Sequence, residues 1–569
     1  MSSGTHNHPN DRVLSVKEQL RAQYGENRAI TGSYDTAAAA VCSNGTFVGK
    51  MDGDAVVFRG IPFAQPPVGD LRWKKPQPVA DGTGVFEAYY NGKSPIQTEW
   101  ETERASYYPQ GEDCLYLNVW KNCRPQKGLR PVMVFLHGGA YGWGGTADPL
   151  YDGKNFVTAE PDIVMITIAY RIGIMGFIDF SEVPGGAAFP FAPNLGIYDQ
   201  IEALRWIRKN AAAFGGDPDN ITIFGESAGG GSVSILPFIP EAKGLFRRVI
   251  AESGSVALTF SKAETLDFTR RLLNDHKELK TMDDLLALSE EQLKEYNKPL
   301  NEFNNFPQRD GILIPLDPYE PYRKGMTADV DMIIGTNANE MNYWIGEVGG
   351  IVAYRFGIPV KFENDLKRFS KADKERAKAF LKMLSGHEIR RMSEFYNELM
   401  FRLPAIAQAE QHAKNGGKVY LYYWTEPSHI RHYKACHAVE LAYVFGNTQD
   451  TIYLGEPADP ELSRKVMHIW ASFAATGTPD AGDTDWQTYD ANKRATLVIS
   501  KHLRMREDIL PRQREMLNPL LKYLLNGSYT ALDLHVPFVR KAIAMAGGVL
   551  LALVILIFGI IRIVLQSTV

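Results

Sequence analysis

Ser227 stands at the centre of a Gly225-x-Ser227-x-Gly229 pentapeptide. A serine hydroxyl is a poor nucleophile alone. It needs a histidine to take its proton and a carboxylate to hold that histidine and stabilise its charged form. It also needs N–H donors aimed at the developing oxyanion, each worth roughly 3 kcal/mol. The pentapeptide follows the apolar run 221–224 and precedes small residues with a helical pattern. A strand turning this sharply into a helix strains its middle residue, and side chains two positions to either side would collide, hence the glycines. The hydroxyl then projects above the sheet edge at the positive end of the following helix. A second stretch, His137-Gly138-Gly139-Ala140, ends the apolar run 132–136. Missing Cβ atoms there let backbone N–H groups approach a substrate. The remaining partners should follow in the order Ser, acid, His. Nine histidines follow Ser227: His276, His387, His412, His429, His432, His437, His468, His502 and His535. Spacing alone does not choose among them, nor among the more numerous carboxylates.

The elements that must position these groups are short apolar strands alternating with helices. Strand patterns lie at 56–58, 115–120, 132–136, 162–169, 221–224, 248–251, 332–334, 419–423 and 495–499. The stretch 197–214 has helical spacing and stops at Gly215-Gly216-Asp217-Pro218. Further helical patterns cover 260–300 and 460–476, and 360–415 reads as a charged, amphipathic helical insertion or cap. The Pro-rich segment 59–69 cannot be helix. This alternation predicts an α/β fold with a large, mostly parallel central sheet covered on both faces. Residues 1–40 read as an N-terminal extension, partly disordered or helical, and 41–538 as one catalytic domain. There is no internal repeat.

A net charge of −4 argues against a nucleic-acid partner. Four cysteines without C-x-x-C spacing make neither a metal site nor a disulfide framework. No basic start with an apolar core opens the chain, so a cleavable signal peptide is not expected. Near the other end, 20 residues, 542–561, carry no charge. At ~1.5 Å per residue they span a bilayer core of about 30 Å. Arg540 and Lys541 precede them and Arg562 follows. The expectation is a transmembrane tail anchor over 540–565, with the catalytic domain on the cytoplasmic side.

The chain resembles the type-B carboxylesterase/cholinesterase family of α/β-hydrolases from about Val56 to Pro511. The resemblance is carried by Phe58-Arg59-Gly60-Ile61-Pro62-Phe63-Ala64, Glu112-Asp113-Cys114-Leu115, the His137 glycine loop and Asn194-Leu195-Gly196-Ile197-Tyr198-Asp199-Gln200. Phe214-Gly215-Gly216-Asp217-Pro218 and Gly225-Glu226-Ser227-Ala228-Gly229 complete it. It implies a carboxylic ester hydrolase with a Ser227–Glu340–His437 triad, an acyl-enzyme intermediate, no cofactor and a small-molecule ester as substrate. It also implies oxyanion donors at Gly139, Ala140 and Ala228, a second carboxylate at Glu226 and a supporting hydroxyl at Ser253. His137 is expected to brace its loop, and His429 and His432 to lie on a loop surface. Ala140 stands where the family commonly has Gly. Ile96 stands where a cysteine would pair with Cys114, so that bridge is not expected. Apolar, lipid-like or xenobiotic esters are the expected substrates, and a homo-oligomer stays open. Two alternatives are a catalytically silent adhesion or scaffold relative and a choline-ester-specific enzyme, which would use Trp100 or Tyr107 as a cation-binding face.

Overall fold

A computed structural model describes residues 17–526 except 19, 22, 100–101, 126, 298–305 and 345–349. Its centre is an eleven-stranded sheet. In chain order the strands are β1 (Lys50–Asp52), β2 (Ala55–Pro62), β3 (Tyr116–Asn122), β4 (Arg130–Leu136), β5 (Val164–Ile168) and β6 (Gly216–Glu226). They continue as β7 (Arg248–Glu252), β8 (Asp331–Asn337), β9 (Val419–Trp424), β10 (Ala495–Ile499) and β11 (Arg504–Glu507). In space they run β11-β10-β9-β8-β7-β6-β4-β5-β3-β2-β1. From β5 through β10 every neighbour pair is parallel, while β1–β2–β3–β5 and β10–β11 pair antiparallel. The sheet is therefore mixed. Its parallel middle holds the strands that read as continuous apolar runs, as burial on both faces requires.

The covering helices include α1 (Leu195–Asn210), α2 (Ala228–Ile235), α3 (Lys262–Asp275), α4 (Leu403–Lys414) and α5 (Pro460–Thr476). Helix α1 ends in a 3₁₀ turn at Ala211–Phe214 and then Gly215, whose φ of 78° only glycine adopts without strain. The insertion between β8 and β9 is helical, as its charge pattern predicts. Within it, Asn397–Arg402 forms a π-helical turn leading directly into α4. One large apolar core joins the sheet to these helices, and a smaller one gathers Ile96, Trp73, Ile174 and Phe180.

Several motifs that carry the family resemblance hold the fold and do no chemistry. Glu112 receives the Arg72 guanidinium in two bonds of 2.6 and 2.5 Å. Asp199 receives Arg171 in two of 2.8 and 2.7 Å. Both pairs are buried, so their forked geometry offsets the cost of removing the charges from water. None of the four cysteines forms a disulfide; Cys114 is buried, and Ile96 contributes apolar packing where a bridge would have stood. Among the described residues, no helix is long and apolar enough to cross a membrane. The expected anchor, 540–565, lies outside the described residues.

Candidate active site

The turn from β6 into α2 places Ser227. Its backbone sits at φ 55°, ψ −115°, a strained conformation for a side-chain-bearing residue. The neighbours hold it there: Ser227 N–H donates to Glu252 O at 2.8 Å, and Gly231 N–H to Ser227 O at 2.8 Å. A Cβ on Gly225 would lie 2.6 Å from Gly229 C and from Leu136 O, and one on Gly229 would overlap Leu136 O outright. The glycines are thus required by the close approach of β4 to the turn.

That approach also brings in the glycine loop. Gly139, Ala140 and Tyr141 all have positive φ, at 97°, 51° and 57°. A Cβ on Gly138 would stand 3.3 Å from Ser227 Cβ, so this loop passes directly beside the serine. Tyr141 accepts a hydrogen bond from Ser232 Oγ of α2 at 3.2 Å, tying loop and helix together. Ala228 is the first residue of α2, where N–H groups have no partner within the helix. Gly138 of the loop and Ala228 at the head of α2 thus border Ser227. His137 braces the loop. Its ring stacks on Tyr170 with centroids 4.3 Å apart, Tyr170 Oη donates to His137 O at 2.6 Å, and burial pulls its pKa down to about 4.

Glu340 and His437 come from the loops after β8 and β9. His437 Nδ1 faces Glu340 Oε2 across 2.7 Å. Glu340 is fully buried, and its other oxygen accepts from Ser253 Oγ at 2.7 Å and Asn337 N–H at 2.6 Å. His437 Nε2 lies 3.1 Å from Glu226 Oε1. Among the described residues no hydrogen bond joins it to Ser227 Oγ, so the imidazole rests between two carboxylates. The ring is walled by Trp344, Phe401 and Tyr343, with centroids 5.3, 5.0 and 6.0 Å away. His429 and His432 are exposed, as expected of loop surface.

Strand register accounts for what lies beneath. Glu226 pairs with Glu252 across β6 and β7, and Glu252 with Gly335 across β7 and β8. With Glu440, one turn after His437, the strand ends thus bring four buried glutamates together. Trp470 Nε1 donates to Glu252 at 2.5 Å, and Asn337 Nδ2 to Glu440 at 2.5 Å. Burial, reinforced by the Glu440, Glu340, Glu252 and Glu103 carboxylates, holds the Glu226 carboxyl well above its ordinary range. Burial alone pushes Glu252 up to about 8, and burial with Glu252 and Glu340 raises Glu440 well above the usual value. Sequence reasoning missed Glu252, Glu440 and the aromatic wall. The signal for Glu252 was a carboxylate closing the apolar run 249–251.

Trp100, one proposed cation face, lies outside the described residues. Tyr107 packs in a small cluster with Leu20 and Tyr108, and its ring receives Lys17 Nζ at 4.5 Å.

A strained serine between a glycine loop and a buried Glu–His pair, on a sheet of this order, defines an α/β-hydrolase-like esterase. Residues 39–516 match the model of the carboxylesterase family, and the chain belongs to that family. It is 32% identical over 505 residues to the para-nitrobenzyl esterase of Bacillus subtilis (strain 168), covering 84% of this chain and 97% of the relative. It is 31% identical over 484 residues to human cocaine esterase, covering 77% and 82%. The acetylcholinesterase of Leptinotarsa decemlineata is 30% identical over 514 residues, with 78% and 79% covered. The crystal structure of the Geobacillus stearothermophilus carboxylesterase EST55 at pH 6.2 superposes with a TM-score of 0.73 at 30% identity, over 84% of this chain and 99% of that one. The chain is a carboxylic ester hydrolase.

Proposed function

We propose that Ser227 is the nucleophile, His437 the general base and Glu340 the acid that orients it. The observation that carries this is the 2.7 Å contact between His437 Nδ1 and a Glu340 carboxylate whose other oxygen is saturated by two donors. That bond fixes the tautomer in which Nε2 is free to take a proton. In the reaction His437 leaves Glu226 and accepts the Ser227 proton as Oγ attacks the ester carbonyl. The oxyanion is met by the N–H groups of Gly139, Ala140 and Ala228. His437 then returns the proton to the departing alcohol, leaving an acyl-enzyme. Water repeats the cycle and releases the acid. Ala140 keeps its N–H but adds a methyl group beside the carbonyl oxygen, which narrows the hole. Ser227→Ala tests the assignment: turnover of a p-nitrophenyl ester by pure protein should fall by about 10⁴-fold or more. Retained turnover, or fluorophosphonate labelling of the variant, would overturn it.

The reading extends to location and substrate. The uncharged stretch 542–561 serves as a membrane tail anchor, with Arg540 and Lys541 keeping the domain on the cytoplasmic side. Protease protection in intact membranes tests that side: the domain should be digested without detergent. The wall of Trp344, Phe401 and Tyr343 beside His437 favours apolar acyl or alcohol groups. An ester panel graded by chain length should show kcat/KM rising with apolar size.

A further inference from the structure

The loop 310–316 is a fixed turn that displays apolar side chains to water. Asp310 Oδ1 accepts from the N–H groups of Ile312, Leu313 and Ile314 at 2.9, 2.8 and 3.1 Å, and Gly311 N–H donates to Ile314 O at 2.9 Å. Leu313 and Ile314 turn inward and are buried. Ile312 is 82% exposed and Leu316 73% exposed. Leu316 packs back against the turn, 3.9 Å from the position of a Cβ on Gly311. A pliant loop could fold such side chains away. This one holds them out, at the cost of the apolar area left in water.

Two facts say what covers them. First, the turn follows Gln308–Arg309, a short strand paired in parallel with Phe260–Ser261. Phe306, two residues before Gln308, packs on Tyr141 of the glycine loop with ring centroids 5.8 Å apart, so the knuckle stands at the same end of the sheet as Ser227. Second, the described chain finishes at the same place. Asn526 is buried and donates to Glu264 Oε1 at 3.4 Å, and Glu264 Oε2 lies 3.9 Å from Arg309, three residues before Ile312. From there the fifteen residues 527–541 lead to the uncharged stretch 542–561. Fifteen residues reach at most about 50 Å even when fully extended.

We propose that the face carrying Ile312 and Leu316 rests on a lipid bilayer, with both side chains set into the headgroup boundary and the Ser227 end of the sheet turned toward the membrane. This rests on the tail-anchor reading above. An ester dissolved in the bilayer then reaches the site without first crossing bulk water, and apolar area exposed in the isolated domain is covered in the bound one.

The test uses the full chain in phosphatidylcholine–phosphatidylserine vesicles. Cys123, the exposed thiol among the four, is replaced by Ser. An environment-sensitive fluorophore is attached at Ile312→Cys or, as a control, at Leu129→Cys, which is 51% exposed at the amino end of β4. Co-flotation with a blue shift and quenching by lipid-borne quencher at Ile312 but not at Leu129 is the expected result. Co-flotation with neither probe quenched leaves the anchor standing and overturns the face. Failure to co-float overturns both. A shift at Ile312 that appears without vesicles and grows with protein concentration assigns the knuckle to a second copy of the chain and also overturns the proposal. Independently, Ile312→Ser/Leu316→Ser should lose about tenfold in turnover of a long-chain ester dissolved in vesicles and keep full turnover of a soluble p-nitrophenyl ester. Equal retention on both substrates overturns it.

Discussion

Two carboxyl groups touch His437, and their surroundings set them apart. Glu340 accepts from Ser253, Asn337 and His437 itself, whereas Glu226 Oε1 meets only the imidazole and sits among three other buried glutamates. Because that environment holds Glu226 well above the ordinary range, its neutral form is favoured, and glutamine is its near isostere. Glu226→Gln should therefore keep kcat within about tenfold near neutral pH, and its deviation from the parent enzyme should grow as pH rises and the parent's carboxyl ionises. Glu340→Gln should lose about 10⁴-fold in kcat, since the amide would misdirect the imidazole tautomer. Steady-state kinetics from about pH 6 to 9 checks both; equal losses would mean that the two carboxyl groups are not doing different jobs.

The elbow and the π-helical turn are the elements whose geometry the site cannot spare. Gly229→Ala would drive a methyl group into Leu136 O of β4, and neither backbone can withdraw from a central strand. The variant should lose soluble expression or more than about 4 kcal/mol of stability, read from its melting temperature. At the other side of the site, Asn397, the first residue of the π turn, accepts the Met341 N–H at 2.8 Å. The same turn delivers Phe401 to the His437 ring. It thus holds the residue after Glu340 and one wall of the His437 ring together, in keeping with the use of π turns at working sites. Asn397→Ala should lower kcat by about tenfold with little change in KM, through the loss of one buried hydrogen bond. The elbow was legible in the sequence because its glycines answer to local backbone sterics. The π turn was not: its helical spacing looks like any amphipathic stretch, and its one-residue widening exists only against the packed acid loop. Glu340 and His437 stand between these cases. Spacing could not select them, because the sheet order and not the chain brings loops 97 residues apart into contact, and the motif resemblance supplied what local physics lacked.

Across the whole molecule, buried groups give stability a pH dependence of two opposed signs. Glu252 titrates at about 8 in the fold against 4.5 ordinarily. The folded state therefore binds its proton more tightly. That contribution is complete below about pH 4.5 and is lost as pH rises through 8. His137 and His412, both held neutral by burial at about 4 against 6.5, act the other way. Their share is present above about pH 6.5 and is lost as pH falls through 4. Glu252→Gln keeps an acceptor for Trp470 and should raise the melting temperature near pH 9, by the equivalent of a few kcal/mol, while changing little near pH 5. Melts across that range decide it; an unchanged slope would mean Glu252 does not carry the alkaline loss. The sequence pointed to a single α/β-hydrolase body, to its helical insertion and to the missing bridge. It could not announce the acidic floor, which arises from register between strands that look independently ordinary. The missing bridge has its own consequence. The segment from Ile96 to Cys114 is fastened at Ile96 by apolar packing, with no covalent loop closure behind it. Apolar packing weakens on cooling, whereas a disulfide does not. This enzyme's grip on that segment, shared between that packing and the buried Arg104–Asp148 and Arg104–Asp450 ion pairs, is non-covalent throughout and should stay indifferent to reductant.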